Sequence, residues 1–380
     1  MVNFTSNTYQ MKREILSFSN KISKKLPKSE RKFIAYMNYG ILASRSCLLT
    51  DIVDQLHEPS RKINIVDRLS RHLAKGTPKD ALKATNLNPS DAYATAPNPP
   101  PLKNVYKKGY HVTETTVLTK SNHPVSIFSE IHSSKEKDFT SINDVTFSAM
   151  DRATALFEKA TFVMDRGYDD NKMFLKLDSM GQDYVIRLTA KRKLLYHNKW
   201  VFATELCNRR KGKVKLPLFY KGKMHDAYLS HVKVQITASR KDIYLVLVYG
   251  LTEYPMMLAT NKEIKSKDDV IKVAKLYFSR WKIEEYFRCK KQIFQFENFR
   301  VRKLKAINAL NFYLTLCMAF LGHISMKPET SALKAAIIQT ADPVKDKIAF
   351  CYYRLAKGIS GILSYAKEGI RLWFRTKRPA

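Results

Sequence analysis

Residues 277–291, YFSRWKIEEYFRCKK, set a carboxylate among cations at helical spacing. Tyr277, Arg280, Glu284 and Lys291 follow one another at intervals of three, four and seven residues. In a regular helix, at about 100° per residue, all four share an arc of about 60°, and Arg288 extends it. On such a face Glu284 could hold a metal ion, Arg280 and Lys291 could clamp phosphates, and Tyr277 could stack or donate a hydrogen bond. A solvated helix face laced with i,i+4 ion pairs has the same composition, so spacing alone leaves both readings open.

A second constellation is FVMDRGYDDN, residues 162–171. Its apolar run reads as a strand that delivers Asp165 to its C-terminal end, with Gly167 allowing a tight turn before the next helix. An α/β sheet presents catalytic carboxylates at that end of its strands. Asp169 and Asp170 read as helix-start acids that complement the dipole.

The elements that must position these groups alternate. Residues 1–75 carry helix-spaced apolar positions at 11–22, 30–39 and 63–73 and predict a small helical module. Residues 76–104 hold Pro89, Pro97, Pro99, Pro100 and Pro101 and predict an irregular linker. Strand-like runs follow at 110–118, 125–128 and 161–164, with helices at 144–159 and 171–180 between and after them. Residues 188–254 change to short β-type runs separated by basic turns, which predicts an inserted antiparallel β-subdomain. PMMLAT, residues 255–260, reads as a buried core strand; helices are predicted at 266–294 and 303–324, and a helical basic region over 326–380. The fold class is α/β.

The chain has 380 residues, 67 Lys+Arg against 34 Asp+Glu, and a formal charge of +33. The basic residues are spread along its whole length, which points to a long polyanionic partner such as double-stranded DNA and away from a membrane-anchoring patch. The five cysteines are widely spaced with no C-x-x-C, which argues against a structural zinc site and for reduced thiols in a cytoplasm. The N-terminus lacks the apolar core of a signal peptide. The most apolar stretch, 307–326, contains Asn308, Asn311 and His323 and reads as a buried helix rather than a membrane span.

Tyr-x2-Arg-x3-Glu-x6-Lys is similar to the signature of the DDE transposases of the IS-four group of insertion sequences. RWKIEEYFRCKKQIFQFENFRV (280–301) resembles that family's glutamate helix, and PMMLAT with Asn261 resembles the strand before it. Asp165 stands in a motif like the family's second-aspartate turn, and GYHVTETTVLTK (109–120) resembles its second core strand. The resemblance implies a ribonuclease H-like domain over 105–325 with the β insertion at about 188–254. It implies metal-dependent strand cleavage and strand transfer at transposon ends, using Mg²⁺ with Mn²⁺ as a substitute. Asp165 and Glu284 would be catalytic metal ligands, and Tyr277, Arg280, Arg288 and Lys291 DNA-binding residues. Self-association on transposon ends and target DNA would follow.

The chain departs from the family where a strand-borne first aspartate should precede GYHVTE. The proline-rich segment stands there, with Asp80 and Asp91 its nearby acids. Residues 90–103 can be back-translated so that a neighbouring frame encodes GCVRDGSESTATK, which resembles what the family carries at this point. A copy that has lost its first core strand and reads a short stretch out of frame accounts for the pattern. The alternative to an active or impaired transposase is a transposase-derived DNA-binding protein without catalysis.

Overall fold

The computed structural model describes residues 4–78, 93–95, 110–119, 123–220, 222–237, 239–328, 330–341 and 351–371, with 93–95 as backbone. The chain divides into two compact units, one of residues 1–88, 123–132 and 284–380, the other of residues 89–122 and 133–283. The helical N- and C-terminal regions, separate in the sequence reading, therefore belong to one unit.

That first unit contains α1 (Phe4–Ile22), α2 (Lys28–Ser44), α3 (Leu49–Leu56), α4 (Lys62–Leu73), strand β3 (Pro124–His132), and α9 (Trp281–Arg288, from Glu284 onward) through α10 (Leu304–Ser325), α11 (Ala332–Thr340) and α12 (Tyr352–Leu363). Its centre is α10, long and apolar enough to cross a membrane by composition, yet with 78% of its apolar window buried inside the protein. Polar side chains interrupt that window because they meet β3. The Asn308 amide donates to the Ile131 carbonyl at 2.7 Å and accepts from the Ile131 N–H at 2.8 Å, as a neighbouring strand would. Asn311 donates to Ser129 Oγ at 2.7 Å. Such buried amides are tolerated because each is satisfied. The C-terminal region is tied to the N-terminal helices: Thr8 Oγ1 donates to Ile362 O, and the buried Glu58 carboxylate pairs with both Arg68 and Arg371.

The second unit is a mixed α/β assembly. Its strands are β1 (Tyr93–Thr95), β2 (His111–Leu118), β4 (Thr161–Met164), β5 (Asp183–Arg187), β6 (Lys193–Tyr196), β7 (Lys199–Phe202), β8 (Val214–Tyr220), β9 (Lys223–Ile236), β10 (Asp242–Tyr249) and β11 (Met256–Thr260). Its helices are α5 (Ile142–Phe157), α6 (Asn171–Ser179), α7 (Ala203–Asn208) and α8 (Lys267–Ser279). The strand order is β2-β1-β4-β5-β11-β10-β9-β6-β7, with β8 added to β9. Strand β1 runs antiparallel to β2 and parallel to β4, and β4 runs parallel to β5. The remaining pairs, from β5–β11 outward, are antiparallel. All four residues of β4 are buried, as a parallel strand covered on both faces requires. Helix α8 lays Val270, Val273 and Ala274 against Val163, Val185 and Leu258 of the sheet.

Three sequence expectations change here. Within the segment read as irregular, Tyr93–Thr95 forms a strand. It occupies a proline-free stretch between Pro89 and Pro97, and both neighbours offer it ladder hydrogen bonds, so pairing overrides the local composition. The rest of residues 79–109, with Asp80 and Asp91, lies outside the described residues. The helix expected over 266–294 is interrupted twice. Arg280 N bonds to Tyr277 O and Ile283 N to Arg280 O, tightening the junction of α8 and α9, and residues Cys289–Ile293 form a π-turn. Asp169, read as a helix-start acid, instead accepts from Thr189 N, Thr189 Oγ1 and Arg192 Nε at 2.6–2.8 Å in a buried ion pair. Asp170 does cap α6, accepting from Lys172 N at 2.6 Å.

The two aspartates are therefore unequal. Asp169→Ala strands Arg192 inside the protein and should cost about 3–5 kcal/mol, whereas Asp170→Ala loses one cap worth about 0.5–2 kcal/mol. Urea denaturation of both variants measures the difference; equal losses would contradict the buried pair.

Candidate active site

Asp165 follows β4 directly, in extended conformation, with its Oδ1 accepting from Arg166 N at 2.7 Å. A single 3-10 turn, Arg166–Tyr168, then redirects the chain, and the Tyr168 ring is buried. The local cause is legible: an apolar run ends in a polar residue whose side chain satisfies the first turn's N–H.

Two residues of α8 and its junction reach this carboxylate. The Tyr277 hydroxyl donates to Asp165 Oδ1 at 3.5 Å, and Arg280 Nη2 lies 3.9 Å from Asp165 Oδ2. The Arg280 guanidinium also sits 5.9 Å from the centre of the Tyr277 ring. Both side chains are buried: Tyr277 is 5% and Arg280 7% exposed. Burial and the neighbouring Asp165 charge push the Tyr277 hydroxyl pKa up, opposed by Arg280 and Arg187. Tyr168 is raised chiefly by burial and also feels Asp165 and Arg280.

Asp165 opens onto a cleft of about 890 Å³ within the second unit. Arg166, Arg187, Thr189, Asn208 and Tyr254 are on its wall, with Tyr254 73% exposed. Arg166, Arg187 and Tyr254 were not singled out from the sequence. Arg187 had a signal: Met164 pairs with Ile186 in parallel register, so Asp165 and Arg187 are the next residues of adjacent strands. The apolar runs TFVM and YVI, each ended by a charge, contain that information once the strands are known to be neighbours.

The remaining predicted residues belong to the first unit. Glu284 is half-buried and engaged with neighbours. Arg288 pairs with Glu285 at 2.9 Å, and Lys291 with Glu297 at 2.7 Å on an exposed surface. The common face expected for Tyr277, Arg280, Glu284 and Lys291 assumed an unbroken α-helix. A tightened junction at Arg280 and a π-turn through Lys291 stand within that stretch. Arg280 is also not an exposed clamp but a buried partner of Asp165.

No group of three Asp, Glu, His or Cys residues arranged to hold a metal occurs among the described residues. Strand β1 is described over Tyr93–Thr95 and pairs with residues 161–163 of β4; Asp80 and Asp91 lie outside the described residues. Glu114 of β2 is buried and engaged with neighbours.

The chain matches the family model of the transposase DDE domain over residues 97–320, more than half its length. It belongs to this family of transposases. No curated protein matches it.

Arg280 and Lys291 should now behave differently. Arg280→Ala removes a buried cation beside Asp165 and should destabilise the protein by about 1–3 kcal/mol. Lys291→Ala removes an exposed ion pair and should change stability by less than about 0.5 kcal/mol. Thermal melts of the two variants test the assignment, and a neutral Arg280→Ala would refute it.

Proposed function

We propose that the chain is a transposase polypeptide of the IS-four type. Its reaction is metal-dependent cleavage and joining of double-stranded DNA at transposon ends, on a ribonuclease H-like core. The observation that carries this reading is Asp165 at the C-terminal end of β4, in a sheet whose order β2-β1-β4-β5 has β1 antiparallel to β2 and parallel to β4. That arrangement supports the ribonuclease H-like assignment, in which neighbouring strand ends carry the acids. The basic charge of +33 supports a DNA partner. Self-association on paired DNA ends and a cytoplasmic location belong to the same proposal.

Asp165 fits a divalent ion. Its Oδ1 takes one main-chain N–H and a long Tyr277 contact, and its Oδ2 has only a loose approach from Arg280, so lone pairs remain for a hard cation. Asp165 and Glu284 are the proposed ligands, with Mg²⁺ as the ion and Mn²⁺ as its substitute. When bound, such an ion polarises the phosphodiester and eases deprotonation of the attacking water or hydroxyl. The chain's own residues do the rest. Tyr277 and Arg280 fix the Asp165 carboxylate, and the cleft cations hold DNA phosphates. Arg288 and Lys291 would add phosphate contacts by exchanging their glutamate partners, half-buried Glu285 and exposed Glu297, for DNA.

A second reading is favoured by one specific observation. Residues 76–104 hold two acids, Asp80 and Asp91, and neither follows a strand-like apolar run. A bridged pair of metal ions needs a third carboxylate, so we infer that this copy binds transposon ends and cleaves them poorly or not at all. Purified protein should shift duplexes bearing the element's ends in EDTA, while cleavage with Mg²⁺ or Mn²⁺ stays near background. Robust cleavage that disappears in Asp165→Ala would overturn the impaired reading and leave the transposase assignment intact. Absence of DNA binding would overturn both.

A further inference from the structure

The cleft beside Asp165 contains a cation that the signature residues do not include. Arg187 ends β5 next to Asp165 in parallel register and lies on the cleft wall. It stands close enough to the Tyr277 hydroxyl to favour its ionised form. Among the described residues it makes no ion pair: Arg280 takes the contact with Asp165, and Arg192 takes Asp169. Arg166, also on the wall, is exposed and likewise without a carboxylate partner among the described residues. A half-buried guanidinium that lines an open cleft without an ion-pair partner among the described residues has donors to spare, and its planar fork matches two oxygens of a phosphate.

We propose that Arg187 is a phosphate-positioning residue: its guanidinium binds the non-bridging oxygens of a DNA phosphodiester in the Asp165 cleft, with Arg166 as the outer contact. This rests on the transposase reading and adds to it the residue that would hold the phosphate beside Asp165. Because β4 and β5 are directly paired up to Met164 and Ile186, the strand ends that carry carboxylate and guanidinium are set side by side by backbone hydrogen bonds and not by a mobile loop. Tyr277, touching Asp165 and lying near Arg187, braces both. The role does not depend on a complete metal site, since binding a phosphate needs only the donors.

The test is DNA binding by the full chain in EDTA, so that loss of cleavage does not enter. End duplexes are titrated at several salt concentrations, and each phosphate is replaced in turn by an uncharged methylphosphonate. Arg187→Ala should weaken binding roughly tenfold or more and lower the salt slope by about one. At one or two positions the methylphosphonate should weaken wild type but have no further effect on Arg187→Ala. Arg187→Lys keeps the charge and loses the fork, so it should retain the salt slope and lose part of the affinity. It also serves as the test if Arg187→Ala fails to fold. Equal sensitivity of wild type and the folded variant to every methylphosphonate would overturn the inference, because a merely structural role predicts it. Unchanged affinity and salt slope in Arg187→Ala would overturn it too, and both results leave the transposase reading standing. A wild-type chain that binds no duplex end overturns that reading and the inference with it.

Discussion

Parallel pairing of β4 with β5 is the constraint on which the site depends. It sets Met164 beside Ile186 and so makes two adjacent strands end at the same level, one in Asp165 and the other in Arg187. Parallel neighbours need a crossover, and α6 supplies it. The two ends of that crossover are held by polar groups rather than by apolar packing alone. Asp170 caps α6 at its start, and the Asn261 amide bridges the far end, accepting from Tyr184 N and donating to Gln182 O. Asp169 then fastens the turn after β4 to Arg192 in the loop after β5. Both loops that border the cleft are thereby tied to each other, which keeps Asp165 and Arg187 on a rigid base.

The charge balance around Asp165 follows from that geometry. One carboxylate meets buried Arg280, while half-buried Arg187 and exposed Arg166 share its cleft without pairing with it. The nearby Asp165 carboxylate helps make the burial of Arg280 tolerable; an isolated guanidinium at that depth would be strongly destabilising. Arg187 and Arg166 are not compensated in this way. The site thus carries a local surplus of positive charge in a chain already at +33, and a polyanion relieves both at once. Tyr277 supplies a neutral hydrogen bond where another cation would add repulsion.

Much of this fold is legible in the sequence where a residue pattern has only one physical outcome. TFVM, YVI and MMLAT are continuous apolar runs, and each is a buried strand. The α10 window with Asn308 and Asn311 reads as a buried helix, and it packs on β3 through those amides. What failed depends on partners distant in sequence. The helix expected over 266–294 is broken where neither the tight junction nor the π-turn has a local signal such as proline or glycine. Asp169 looked like a helix-start acid because its partner Arg192 is 23 positions away. Arg187 went unnoticed because its meaning comes from the strand beside it.

Strand β1 shows how fold and chemistry can part company. A central strand holds its neighbours through backbone N–H and C=O groups, so any short proline-free stretch can take the place; Tyr93–Thr95 does so, pairing with both β2 and β4. A metal ligand has no such latitude. It needs one side-chain type at one register position, and residues 76–104 hold only two acids, Asp80 and Asp91, neither of them after a strand-like run. Backbone pairing therefore tolerates a rewritten segment that side-chain chemistry does not. The sheet, the buried Asp165–Arg280 contact and the cationic cleft can all survive such a change, because each is built from residues on other elements. A transposase altered in this one stretch would keep its affinity for DNA longer than its power to cut it.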